Sequence, residues 1–345
     1  MGGISKCVGI RRRADRRFRL ALLVSLLMLA GAVLAGLALG SSSIGAGDVL
    51  AYATGGASDM ASNVLANVRI PRVLAGVLAG AALAEAGALI QATLNNPLAS
   101  PNVIGVNAGS GLFVLLFACM APHALSASVA AAFLGALASV LLVFFVSVYA
   151  GASRLTIVLA GMALTAIFTA GMNAILIFNP DAYVNSSGFL VGSLSGVTMP
   201  ELAVPGVLIF GGLLLAVSQG VRLNILSLGD EGAHALGLNV VRARLVLLSL
   251  AALLAGAAVC FAGLIGFVGL IVPHVVRYVV GHDNRRVLLL SPVVGAALVC
   301  MCDTVARTLF APFEVPVGIC MALVGGPFFI YLILRSRKGE VDGRS

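Results

Sequence analysis

Lysine occurs only twice in these 345 residues, tryptophan not at all, and just 10% of positions carry a charge. A phosphate-gripping GxxxxGK[ST] loop needs a lysine, and neither Lys6 nor Lys338 sits in one. The chain therefore does not bind ATP by that route. GxSxG and HExxH are missing too. The six cysteines, Cys7, Cys119, Cys260, Cys300, Cys302 and Cys320, form no CxxC, and five lie in apolar runs, so they read as small buried hydrophobes. His123, His234, His274 and His282 are scattered and make no i,i+4 ligand pair. No resident metal or cofactor is expected. So little charge beside 60% hydrophobic residues also excludes a water-soluble domain. The net charge of +8 does not signal nucleic acid, because its cations fall in short clusters between apolar runs, as membrane topology requires.

Those clusters order the chain. RRRADRRFRL precedes an apolar run over 20–40, too long for a signal-peptide core and so a retained first span. Further spans are expected over 70–94, 102–121, 126–150, 155–178, 200–220, 287–307 and 317–334. The run 245–281 has basic residues at both flanks and must cross an even number of times. At 1.5 Å per residue it supplies roughly 55 Å of helix, enough for two short spans reversing near 263–266. The expectation is an all-α polytopic protein of ten spans with both termini cytoplasmic. A basic segment 1–19 and a tail 336–345 bracket the spanning region 20–335. On this topology only Arg69, Arg72 and Arg307 of the 21 Lys and Arg lie outside. Gly76, Gly80, Ala84 and Gly87 form a small-residue stripe suited to close helix packing.

The stretch 223–238, LNILSLGDEGAHALGL, breaks the apolar pattern between basic flanks. Asp230 is placed to cap a short helix, Glu231 to occupy its first turn and Gly237 to end it. A helix of six or seven residues is too short to stand alone, so it is expected to rest on something else. Two carboxylates fall within spans. Asp303 has Arg307 four residues on as a partner along one helix face. Glu85 has none in sequence, and two readings stay open: a protonated carboxyl against another helix, or a group lining a pathway. Arg69 and Arg72 flank Pro71 at the start of a span, where cations oppose both the helix dipole and the topology bias, which points to a binding role.

RIPR at 69–72, GAALAEAGALIQATLNNPLASPNVIGVNAGSG at 80–111, LAGMAL at 159–164, GSL at 192–194, the 223–238 stretch, GLIGFVGLIVPHVVR at 263–277 and EVPVGICMALVGGPFFIYLIL at 314–334 follow one another in order. Together they resemble the FecCD-type permeases, membrane subunits of ABC importers for iron-siderophores, haem and vitamin B12. The resemblance implies a type II importer fold in the bacterial inner membrane. It also implies a homodimer, two separate ATP-binding subunits that hold the ATP and magnesium, and an extracytoplasmic substrate-binding protein. Leu226, Gly229, Asp230, Glu231, Ala233, His234, Leu236 and Gly237 would then couple to the ATPase. Arg69, Arg72 and Arg307 would dock the binding protein, and Asn96, Leu98 and Ser153 would narrow the cytoplasmic mouth. The sequence departs from the family pattern at Asn95, where arginine usually precedes NPLA, at Glu85, and in the aromatic missing before GSL. A proton-coupled secondary transporter using Glu85 is the rival from another class. A membrane enzyme is disfavoured, since no acid–base or nucleophile pair stands in the spans. No internal repeat is evident.

Overall fold

The computed structural model describes the backbone of residues 2–40, 45–120, 125–151, 153–309, 311 and 313–342, and their side chains except at 2–13, 125–128, 183–185, 333 and 335–342. The described residues form helices and turns with no strand. They comprise α1 (Gly2–Ala38), α2 (Ala46–Ala53), α3 (Asp59–Val64), a π-helical turn Leu65–Arg69, α4 (Ile70–Leu94), α5 (Val106–Met120), α6 (Leu125–Tyr149), α7 (Arg154–Phe178), α8 (Pro180–Val191) and α9 (Met199–Ser218). Then come α10 (Gly220–Leu226), α11 (Asp230–Ala235), α12 (Val240–Ala262), α13 (Val268–Val280), α14 (Asn284–Thr308) and α15 (Val317–Asp342). Among the described residues, seven helices are by length and composition long and apolar enough to cross a membrane, and three shorter apolar ones lie at Val106–Met120, Val268–Val280 and Val317–Leu332. His123 and residues 343–345 of the expected tail lie outside the described residues.

Helix α4 is the core of the bundle. Only Ile70, Leu74, Val77 and Leu78 escape full burial, and α9, α12, α13 and α14 pack around it. Its small residues explain that position. Gly80 faces Gly295 of α14 and Gly87 faces Gly269 of α13, each so closely that a β-carbon would overlap the opposing carbonyl. With lipid outside, helices associate by such close van der Waals packing rather than by hydrophobic exclusion. Gly76 also faces α14, beside Cys300. Around this centre, α5, α6 and α7 pack on one another, and α1 lies on α14.

The element bounds follow the expected spans closely, with three differences. The expected run 20–40 is only the end of α1, which reaches back through the basic segment to Gly2. The stretch after α7 is not plain loop: Pro180 opens α8 and Gly192, at φ +82, closes it. The run 245–281 does break at Gly263–Phe267, where Gly263 has φ +71 and Phe267 φ +65. Yet α12 and α13 do not form a simple hairpin, because both lean on α4. The loop between them is pinned to α8 by the Leu264 amide donating to the Phe189 carbonyl at 2.9 Å. Of the cysteines, Cys260, Cys300 and Cys302 are buried as expected, but Cys119 is exposed and Cys320 half-buried.

Candidate coupling site and the two ends of the bundle

Helix α10 follows α9 after Gln219 and leads to α11 through Ser227, Leu228 and Gly229. Glycine at 229 adopts φ +95, and it, not Asp230, is the N-cap of α11. Asp230 is the first helical residue because its carboxylate is engaged elsewhere. Arg244 of α12 donates to it at 2.7 and 2.9 Å, and Arg154 at the start of α7 donates at 2.8 Å. Burial alone would raise the Asp230 carboxyl, but Arg244 and then Arg154 outweigh it and hold the group below its ordinary value. The far end of the helix is as expected. Gly237, at φ +78, forms a left-handed turn with its amide bonded to the His234 carbonyl and the Leu238 amide bonded to that of Ala233.

Of the expected coupling residues, Leu226 and Ala233 are buried and anchor the segment to the bundle. Asp230, Glu231, His234, Leu236 and Gly237 are exposed, and Gly229 is half-buried. Leu236 is 61% exposed and its neighbour Leu228, not singled out from sequence, 64%. The two leucines thus stand exposed at the two ends of a six-residue helix that also displays Glu231 and His234. Asn224 is a second attachment that sequence reasoning missed. Its amide donates to Asp283 at 2.8 Å and its carbonyl oxygen accepts from the Asn284 amide at 2.9 Å, which ties α10 to the start of α14. The segment 220–238 thus grips α7, α12 and α14 at once.

The expected gate residues flank this segment. Ser153 caps α7, its hydroxyl accepting from the Thr156 amide at 3.1 Å, immediately before the Arg154 that holds Asp230. Asn95 ends α4 in a left-handed conformation at φ 48. Asn96 then accepts from the Leu98 amide at 2.9 Å, which shapes the NNPL turn. Asn95, Asn96 and Ser227 share the wall of one cavity. Leu98 is 43% exposed.

At the opposite end the outcome differs from the sequence expectation. Arg69, Arg72 and Arg307 are buried, not displayed. Arg72 brackets Asp303 with three hydrogen bonds at 3.0–3.1 Å and reaches Glu314 at 2.6 Å. Arg307 pairs with Asp303 at 3.5 Å, as its i,i+4 position implied, and also donates to the Gly36 carbonyl of α1. Arg69 donates to the Leu37 carbonyl. The three arginines therefore clasp α1, α4 and α14 together, with Arg72 and Arg307 sharing Asp303. The topology argument flagged them as anomalous. The Arg72 partner was hidden because Asp303 lies 231 residues away. Glu85 is also wholly buried, and neither of its oxygens has a hydrogen-bond partner among the described residues.

Comparison with known proteins places this arrangement. The FecCD transport family matches residues 26–335. The chain belongs to the FecCD transport family. The hemin transport system permease protein HmuU of Yersinia pestis is 38% identical over 335 residues, covering 94% of this chain and 98% of that one. The Fe(3+)-citrate import system permease protein YfmD of Bacillus subtilis is 37% identical over 336 residues, covering 96% and 98%. Other relatives are named as cobalamin and siderophore permeases. Among solved structures, a metal-chelate type ABC transporter in an inward-facing conformation superposes with a TM-score of 0.81 at 29% identity, over 91% of this chain and 98% of that one. Membership in this FecCD family, together with the seven long apolar helices, makes the chain a multi-pass membrane permease.

Proposed function

We propose that the chain is the spanning subunit of an ATP-driven importer for iron chelates, either ferric siderophore or haem, in the bacterial cytoplasmic membrane. On this reading the seven long and three shorter apolar helices are taken as ten spans, with both termini and the 220–238 segment on the cytoplasmic side. The working unit is a homodimer with two ATPase subunits beneath it and a substrate-binding protein above. The observation that carries this reading is the triple attachment of α10–α11 to α7, α12 and α14 through Asp230 and Asn224. A surface segment tied in this way converts a push on Leu228 and Leu236 into tilting of three spans. ATP-driven movement of the partner subunits would thereby open or close the mouth at Asn96, Leu98 and Ser153, giving alternating access along the dimer axis. The permease itself makes and breaks no covalent bond.

The rival, a proton-coupled transporter, has one observation behind it, the buried and unpartnered Glu85. Cobalamin as cargo rests on a relative's name alone. The chain, its ATPase subunits and its binding protein are to be reconstituted in proteoliposomes and offered ferric citrate, a ferric hydroxamate, hemin and cobalamin. The proposal predicts uptake that requires ATP and favours one of the iron chelates. Uptake driven by a proton gradient without the ATPase would refute it, and a preference for cobalamin would refute the cargo assignment.

A further inference from the structure

Between the end of α4 and helix α13, at the end of the bundle that carries the 220–238 segment, lies a cavity of about 430 Å³ whose wall includes Gln91, Asn95, His274, Arg277, Tyr278 and His282. No carboxylate among the described residues lines it. Asp283 is adjacent in sequence but is turned away, accepting from Asn224 at 2.8 Å and from the Arg285 amide at 3.1 Å. The cation on this wall is Arg277. Arg72, Arg244 and Arg307, all buried, each reach an aspartate. Arg277 reaches only neutral oxygens, the Gln91 side-chain carbonyl and the Ala88 backbone carbonyl. Gln91 is itself fixed, its amide donating to the carbonyls of Gly269 and Leu270 at 3.2 and 3.3 Å, so its oxygen is aimed at the guanidinium. A guanidinium positioned in this way, without a counter-ion among the described residues and facing a cavity with polar side chains on its wall, is suited to planar bidentate recognition of an oxyanion.

We propose that this cavity binds a carboxylate of an iron chelate on the ATPase side of the permease, with Arg277 as its counter-charge and Asn95 and the histidines hydrogen-bonding around it. The choice of a carboxylate chelate rests on the cargo class proposed above. A cavity of this volume holds a small polycarboxylate whole, or one acid-bearing edge of a larger chelate. The site lies beside the Asn96 turn and Ser227, so it is reached by cargo that has passed the spans or that has accumulated in the cytoplasm. Its occupancy would hold delivered chelate at the mouth and slow the next cycle.

The test is equilibrium binding of ferric citrate and of hemin to the permease–ATPase complex in nanodiscs, without binding protein and without ATP, with inorganic phosphate as competitor. Wild type should bind one of the two chelates saturably. Arg277→Gln should weaken that binding at least about tenfold, and Arg277→Lys should weaken it less, keeping the charge but losing the fork. Asn95 is exposed and left-handed, a conformation aspartate tolerates. Asn95→Asp therefore leaves the fold alone while placing a repelling charge in the cavity, and should weaken binding by a similar factor. Absence of saturable binding of either chelate, or unchanged affinity in Asn95→Asp, would overturn the proposal. Displacement by phosphate as readily as by the carboxylates would overturn the cargo assignment in favour of a general cell anion. ATP-driven uptake is measured separately, so failure of the importer reading and failure of this site give different results.

Discussion

Replacing Asp230 by alanine removes the carboxylate that joins α11 to α7 and α12. The Arg154 arm is solvent-exposed at both ends, with side chains 27% and 50% accessible, and is worth about 0.2–1 kcal/mol. The Arg244 arm engages a side chain only 3% accessible, and hydrogen bonds to a charged group of that kind contribute about 1.5–3 kcal/mol, to be taken at the lower end because Asp230 is half exposed. The attachment as a whole loses on the order of 2 kcal/mol, close to a thirtyfold change in an equilibrium between gripped and released α11. The bundle core is untouched, so the complex should still assemble. Uptake per ATP hydrolysed, measured in proteoliposomes, should fall several-fold, with uptake falling more than hydrolysis. Because the folded-state value of Asp230 lies below its unfolded value, its contribution is present above the ordinary carboxylate range, about 3.9. It is lost only as pH drops below that range. The uptake-to-ATP ratio of wild type should thus show no Asp230-dependent change between about pH 5 and 8. A wild-type ratio in Asp230→Ala would refute the idea that force passes through this carboxylate.

Gly237→Val places a β-branched residue at φ +78, which costs about 1–2 kcal/mol. It should lower substrate-stimulated ATP hydrolysis and uptake together in the reconstituted complex while the dimer still inserts. Asp303→Asn breaks the ion pairs of Arg72 and Arg307 at once. Removing one partner of a buried pair costs about 3–5 kcal/mol, so the detergent-solubilised protein should melt several degrees lower, whereas an unchanged melting temperature with weakened binding-protein docking would restore a docking role for these arginines. Glu85→Gln preserves shape and polarity but cannot carry a proton. Transport and its pH profile should stay close to wild type, and an altered profile would favour the proton-coupled rival.

The long apolar helices were legible because they are mostly apolar runs set off by basic or polar stretches, and α4 fell where Pro71 and Asn95 bound it. Gly80 and Gly87 read correctly as packing residues because helices need small side chains wherever they approach closely. The coupling segment was legible for a different reason: a polar stretch with a glycine stop stands out between spans. Its mechanics were not, since Arg154 and Arg244 are 76 and 14 residues from the aspartate they hold and local capping rules assigned Asp230 to its own helix. The three outer arginines show the same limit. Arg307 had Asp303 in view four residues away, but for Arg72 local physics registered only an unfavourable placement, because Asp303 and Glu314 reach it through tertiary packing. Asn224 and Arg277 carried no local signal at all.

The central claim is that an ATPase subunit grips the permease at α10–α11. A photo-cross-linking residue placed at Leu228 and at Leu236, both of which point out of the protomer, tests it directly in membranes containing the assembled complex. Cross-links from both positions to the ATPase subunit are expected, with yields that change when ATP is bound and hydrolysis is blocked. A residue placed at the exposed Phe210 of α9 should give none. Cross-links from Leu228 and Leu236 to lipid or to the permease alone, with none to the ATPase, would contradict it.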